Sequence, residues 1–213
     1  MLNLKKLAIV GSGDLGQLIA YYAAETKRYE VVGFFDDYQP VGSSINGFPI
    51  LGNTESVENL FDAKRFDVLM VGIGYKHFSQ RSRLFDKFQN RIPFATIIHS
   101  SANISDSCTV KEGAIILPGC ILDRNVVIEE NVLINTGCVI AHDSFIGKHS
   151  FLSPAVAIAG FVKIGTCCNI GINTTVIDNI NICDRVRTGG GTVVIKSIDQ
   201  AGLYVGCPAK FIK

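Results

Sequence analysis

Tryptophan is absent from the 213 residues, methionine occurs twice and proline six times. Charged residues make up only 18 %, and the net charge is +1. Without a basic field there is nothing to hold a polyanion, so nucleic acid and membrane surfaces are poor partners. No apolar run approaches the roughly 18 residues that a membrane span needs. The opening Met1 to Lys6 runs straight into Leu7-Ala-Ile-Val10, too short an apolar stretch for a signal peptide. The seven cysteines include no CxxC pair, and the adjacent Cys167 and Cys168 are poorly placed for chelation, so no metal is expected. A reducing cytoplasm is the expected compartment. What is present is apolar material, 47 % of the chain, which supports a sizeable core and argues against disorder.

That material is ordered by a period of six. From Ile98 to Ile182 every sixth residue is aliphatic; the run breaks at Thr188 and resumes at Val194. Four residues after each aliphatic stands a small or β-branched residue, among them Ala102, Cys108, Cys120, Val132, Cys138, Ser144, Ser150, Cys168 and Thr174. A period of six is neither the 3.6 of a helix nor the 2 of an amphipathic strand. It fits a short strand and a corner, repeated. Three hexads close one triangular coil of 18 residues, so residues 98 to 194 predict somewhat more than five coils of a parallel β-helix.

Residues 1 to about 95 lack that period. Strand-like Lys6–Val10, helix-like Gln17–Thr26, strand-like Val31–Phe35, a short helix near Glu55–Phe61, strand-like Val68–Gly72 and a long helix over Phe78–Asn90 alternate as β-α-β. Phe94–Ile98 reads as a strand feeding the solenoid. The Gly-, Pro- and Ser-rich stretch from Asp36 to Gly52 reads as irregular. The fold class is therefore α/β plus β-solenoid: a small Rossmann-like βαβ domain over 1–95, followed by the β-helix over 96–213.

Two sets of residues carry chemistry. Gly11-Ser12-Gly13-Asp-Leu-Gly16 sits between a strand and a helix, where glycine lets the backbone approach a phosphate and the helix N-terminus supplies free N–H groups. Asp36 or Asp37 ends the next strand, where a carboxylate can bond ribose hydroxyls. The segment after the third strand, Gly72-Ile-Gly74-Tyr-Lys-His77, is a further candidate contact. With only about 95 residues before the solenoid, half a dinucleotide fold and one nucleoside diphosphate fit, and a nucleotide-linked sugar would suit. The same glycine loop without a ligand is a plain β-α turn.

In the solenoid, His142 lies two residues after Ile140, at a position that is mostly solvent-facing. Gly160 is 18 residues on, hence on the same corner one coil away, roughly 5 Å off by the strand spacing. An imidazole beside a glycine N–H can serve acyl transfer, the ring taking a proton and the N–H holding an oxyanion. Asp143 could orient the ring. His149 is expected at the surface and His99 in a structural place. Four cysteines are expected to fill the solenoid core as compact apolar groups.

Gly11-Ser-Gly13, Gly33-Phe-Phe-Asp36-Asp37, Gly47-Phe-Pro-Ile-Leu-Gly52, Ile97-Ile-His99, Ile134-Asn-Thr-Gly137, Ala141-His-Asp143 and the terminal Val205-Gly-Cys-Pro-Ala-Lys210, together with the hexads, carry a resemblance over essentially the whole chain. The chain resembles the sialic acid O-acetyltransferase/bacillosamine N-acetyltransferase group of bacterial sugar acetyltransferases, which fold as left-handed β-helices of hexapeptide repeats. The resemblance implies that His142 is the general base and that Gly160 offers its N–H to the acetyl carbonyl. It implies that acetyl-coenzyme A (acetyl-CoA) lies between two subunits of a homotrimer, and that the N-terminal domain binds a UDP- or dTDP-linked amino sugar through Gly11, Ser12, Gly13, Asp36, Asp37 and Gly74. Coenzyme contacts are expected from Gly160, Ile172, Gly190 and Lys196. A flank carrying Phe145, Phe151 and Phe161 would offer apolar surface to a neighbouring subunit. Leu15 and Phe151 stand where that family often has histidine.

Four readings follow from the sequence: an N-acetyltransferase on a nucleotide-linked deoxy-amino sugar, a sugar or sialic acid O-acetyltransferase, a non-catalytic nucleotide-binding trimeric scaffold, and an NAD-dependent oxidoreductase. The half-sized nucleotide fold argues against the last.

Overall fold

The structure, a computed structural model, describes residues 4–213. The chain divides into two compact units, 1–97 and 98–213, so the division falls two residues beyond the break in the sequence pattern.

The first unit is built on β1 (Lys5–Val10), α1 (Asp14–Glu25), β2 (Tyr29–Phe35), β3 (Ser44–Ile45), β4 (Phe48–Gly52), α2 (Val57–Asp62), β5 (Val68–Val71) and α3 (Phe78–Phe88). The sheet order is β3-β4-β2-β1-β5, parallel throughout except for the short β3 edge. Leu7, Ala8, Ile9, Val10, Leu69, Met70 and Val71 are all buried, as expected of parallel strands covered on both faces. The stretch from Asp36 to Gly52 is less irregular than its composition suggests. A short hairpin forms, and Phe48–Gly52 joins the sheet beside β2 with Pro49 one residue in. Pro49 is tolerated because it precedes Ile50, where the pairing with β2 begins. The expected single strand from Phe94 to Ile98 is also broken: Phe94 makes an isolated bridge to Leu69, and strand geometry returns only at Ile97–Ile98.

In the second unit, two-residue strands recur every six residues and pair in parallel with the strand 18 residues on, as in Ile121–Leu122 with Val139–Ile140. The aliphatic of each hexad points inward. Ile116, Leu122, Ile128, Ile134, Ile140, Ile146, Leu152, Ile164 and Ile170 are fully or almost fully buried in one continuous core. The strands form three faces. The first runs from Asn103–Ile104 to Val193–Val194, the second from Thr109–Val110 to Asn181–Ile182, and the third includes Ile115–Ile116 and Leu133–Ile134 and ends on Gly202–Val205 and Lys210–Phe211. The break at Thr188 leaves the coil intact: its hydroxyl accepts from the Gly171 N–H at 2.8 Å and lies 2.9 Å from the Thr174 hydroxyl, so a polar residue fills an aliphatic slot without an unmet bond.

Two rules govern the corners. Every sixth residue from Gly113 to Gly191 has positive φ, including Asn125, Asn131, Asp143, Asn173 and Asn179. Glycine and asparagine reach that region at least cost, which is why they recur there. The small-residue slot does more than pack. Cys120 donates its S–H to the Asn135 carbonyl at 3.0 Å, Cys138 to Ser153 at 3.2 Å, Ser144 its O–H to Ala159 at 3.0 Å and Ser150 to Gly165 at 2.8 Å, each reaching a carbonyl 15 residues ahead. The cysteines are therefore weak donors to corner carbonyls as well as apolar filler. Burial pushes the Cys168 thiol up to about 12, so it remains a thiol.

Candidate active site

The glycine loop of the first unit is held by close backbone contact. A Cβ on Gly16 would lie 1.9 Å from the Gly11 carbonyl oxygen, so only glycine fits at the start of α1. Gly11 has φ of +95° and lies against Gly72, just past the end of β5. Gly13 is the N-cap of α1, with open space around it and no side chain capping the helix. Ser12 is buried and gives both its N–H (2.9 Å) and its O–H (2.6 Å) to Oδ2 of Asp36. The other oxygen of Asp36 accepts from the Tyr38 N–H at 2.9 Å. Partial burial pushes the Asp36 carboxyl up, but the Ser12 and Tyr38 bonds outweigh it and hold the group below its usual range. Asp36 thus pins the glycine loop. Asp37 is bound in the same way by Thr54, through its N–H at 2.7 Å and its hydroxyl at 3.0 Å. The sequence contains no local sign of the Ser12–Asp36 pairing, since the partners are 24 residues apart. Gly74 precedes a one-turn 3₁₀ segment, Tyr75–His77, and His77 is exposed.

In the second unit, His142 and Asp143 stand on the corner between the first and second faces. His142 Nδ1 is 2.9 Å from Oδ2 of Asp143. The Asn125 side-chain amide donates to Oδ1 of Asp143 at 2.9 Å. That bond first, then the one to His142, holds the Asp143 carboxyl below its usual range, so it is an acceptor only. Nδ1 must then carry the ring proton, which leaves the lone pair of the neutral imidazole on Nε2. The ring is about one-third exposed. Phe161 meets it edge-on, with ring centres 5.1 Å apart at 86°.

Gly160 lies directly against that ring. A Cβ there would come within 2.7 Å of Cε1 and 2.9 Å of Nε2 of His142. On either side of Gly160 the ladder consumes the N–H groups, Ala159 giving to Val176 and Phe161 to His142. Among the described residues the Gly160 N–H has no backbone acceptor. Proline occupies the equivalent slot at Pro118 and Pro154, which shows that the ladder needs no donor there. The corner thus pairs a basic nitrogen with an uncommitted N–H, as the sequence spacing suggested. A Gly160→Ala substitution is expected to lower activity roughly 10²-fold by turning the imidazole away. The melting temperature should change little, since the half-buried ring can give way. A rate assay beside a thermal melt checks this, and wild-type turnover would contradict the packing described.

The remaining expected residues separate. Lys196 is exposed on the same corner as His142, 54 residues and three coils on. Ile172 and Gly190 sit on a different corner, between the third and first faces, where they stack: Ile172 is 55 % exposed, and a Cβ on Gly190 would lie 3.0 Å from its Cγ2. Phe161 is exposed, but Phe151 is buried, so the expected phenylalanine flank is not a single apolar surface. His149 is also buried rather than superficial. It occupies a positive-φ corner slot that turns its ring back onto Asn131, 3.0 Å from Nδ1. His99 accepts from the Ser101 N–H at 3.1 Å and shapes its own turn. Sequence reasoning missed Asn125, whose only signal is its place 18 residues before Asp143. Among the described residues no group of three or more His, Cys, Asp or Glu could hold a metal, and no helix is long and apolar enough to cross a membrane.

The chain thus combines a nucleotide-type domain with a glycine loop and a β-helix carrying a histidine-aspartate pair against a glycine. Residues 6–88 match the PglD N-terminal domain. The fold is that of the acetyltransferase domain of PglB from Neisseria gonorrhoeae, with 26 % identity, a TM-score of 0.89, and 98 % of this chain and 100 % of that one covered. It is equally similar to PerB from Caulobacter crescentus, solved with CoA and GDP-perosamine, at 26 % identity, a TM-score of 0.90 and full coverage of both chains. A UDP-3-O-acylglucosamine N-acyltransferase of Delftia acidovorans is 37 % identical over 51 residues, a stretch that spans 24 % of this chain and 15 % of that protein. Over its whole length the chain is thus similar in fold to bacterial sugar acetyltransferases of the hexapeptide-repeat, left-handed β-helix type.

Proposed function

We propose that the protein transfers the acetyl group of acetyl-CoA to the amino group of a nucleotide-linked deoxy-amino sugar. The observation that carries this reading is the His142–Asp143 pair lying against Gly160. The amine nitrogen attacks the thioester carbonyl. His142 Nε2 takes the amine proton, the Gly160 N–H holds the oxyanion, and the C–S bond breaks. The proton then passes from His142 to the departing CoA thiolate. The first unit binds the nucleotide at the glycine loop, with Gly11, Ser12, Gly13 and Gly74 near the phosphates and Asp36 and Asp37 shaping the loop around them. Gly160, Ile172, Gly190 and Lys196 contact the coenzyme. The support for the acceptor class is the match to a PglD N-terminal domain and the likeness to PerB.

The working form is a homotrimer with the coenzyme between subunits. The first face supports this, because its outward residues Ile121 and Val139 are 44 % and 42 % exposed and stand side by side on paired strands, where a neighbouring subunit could cover them. That placement gives Ile172 and Gly190 a role, since a corner remote from His142 in one subunit can meet the His142 corner of another.

The test is incubation with acetyl-CoA and a panel of UDP-, dTDP- and GDP-linked amino sugars, read by mass spectrometry, with calorimetric titration of acetyl-CoA alongside. Acetylation of an amine on one panel member is the expected result. Acetylation at a hydroxyl would move the assignment to O-transfer. Absence of any acetyl-CoA binding would leave a scaffold.

A further inference from the structure

We propose that Asn125 is a positioning residue for the acetyl transfer: its side-chain amide, delivered from the adjacent coil, holds Asp143 so that the opposite carboxylate oxygen keeps the proton on Nδ1 of His142. The inference rests on His142 being the base. Asn125 and Asp143 are 18 residues apart, and both have φ of +58°. They therefore occupy the same place on successive corners, and their side chains run along the same edge. Each carboxylate oxygen has one partner: Oδ1 the Asn125 amide, Oδ2 the imidazole, both at 2.9 Å. The backbone beneath is fixed as well, by the Asp143 N–H donating to the Arg124 carbonyl at 3.0 Å.

The coil on the other side gives Asp143 no comparable help. The residue stacked there is Phe161, which offers an apolar edge to the imidazole. Asp143 is 28 % exposed in its side chain, so without the amide its carboxylate is free to turn toward water. Arg124, exposed on the same corner, adds attraction to the carboxylate and offers no fixed geometry. A base is efficient only while its lone pair faces the substrate, and the wrong tautomer removes it.

Two variants separate geometry from folding. Asn125→Gly accepts the positive φ and deletes the amide. Asn125→Asp keeps the shape but turns a carboxylate toward Asp143. The full chain, with histidine labelled in its ring nitrogens, is examined by NMR at neutral pH without substrate. The wild type should show His142 with Nδ1 protonated, and both variants should show a mixture of tautomers. In steady-state kinetics on the acceptor found in the panel, kcat should fall about tenfold, the worth of one hydrogen bond to a charged group. KM should stay within about twofold. An unchanged tautomer in both variants overturns the proposal, including the case where kcat falls only in step with the folded fraction. His142→Ala keeps the two ideas distinguishable. If it retains activity, the base reading falls and this one with it. If it is inactive while the Asn125 variants match the wild type in tautomer and kcat, only the role of Asn125 falls.

Discussion

Replacing His142 with alanine is expected to lower acetyl transfer by roughly 10²–10⁴-fold, the usual worth of a positioned general base. The loss should fall on kcat, because in the proposed reaction the imidazole acts while the proton is in flight and adds little to ground-state binding. The fold should survive: His142 is a corner residue with its ring one-third exposed, while the core beneath is closed by Ile140, Ser144 and Ile158. The measurement is initial rate against acetyl-CoA concentration, beside a thermal melt. Activity within a few-fold of wild type would remove His142 from the reaction. Partial recovery of rate at high pH is expected, where free amine acceptor is abundant and hydroxide substitutes for the base.

The second large effect concerns stability. Gly16→Ala places a methyl 1.9 Å from the Gly11 carbonyl oxygen and 2.9 Å from its carbon. Both are backbone atoms, so no side chain can swing aside. Either α1 must shift along its axis or the loop must open, and Gly72, packed against Gly16, blocks the first. The expected cost is about 3 kcal/mol, the upper end for overpacking a closed site. In a unit of this size that lowers the midpoint of its thermal transition by on the order of 10 °C or more. Gly13→Ala is the control: nothing lies within 4 Å of its would-be Cβ, so its cost should stay within about 1 kcal/mol. Equal melting temperatures for the two variants would contradict the close approach.

The solenoid was legible because its inward slot is aliphatic without a break from Ile98 to Ile182, so one residue in six betrays the coil. The His142–Gly160 stacking was legible for the same reason, as a matter of counting. The positive-φ slot was open to view in Asn125, Asn131, Asn173 and Asn179, yet His149 and Phe161 also occupy it, and composition alone does not flag them. His149 was misplaced because a left-handed corner folds its side chain inward onto Asn131. Phe151, one residue before an inward aliphatic, follows the outward rule of alternation but is buried nonetheless. In the first unit, the alternation of parallel strands with helices follows from the β-α-β pattern. The Ser12–Asp36 lock does not, because tertiary pairing of a serine with a carboxylate leaves no periodic trace. Phe48–Gly52 was missed since proline and glycine there speak against a strand, and sheet pairing overrides them.

The pairing of each strand with the one 18 residues ahead sets a rule for how this chain can change length. Gain or loss of a whole coil preserves both the inward phase and the face. Six residues would preserve the core yet rotate everything downstream by a third of a turn, carrying Gly160 away from His142 while the protein still folded. The spacing of the proposed catalytic groups is thus a modular quantity. Lineages descended from such a coil can lengthen freely beyond the chemistry, but between these two residues they are confined to a single count.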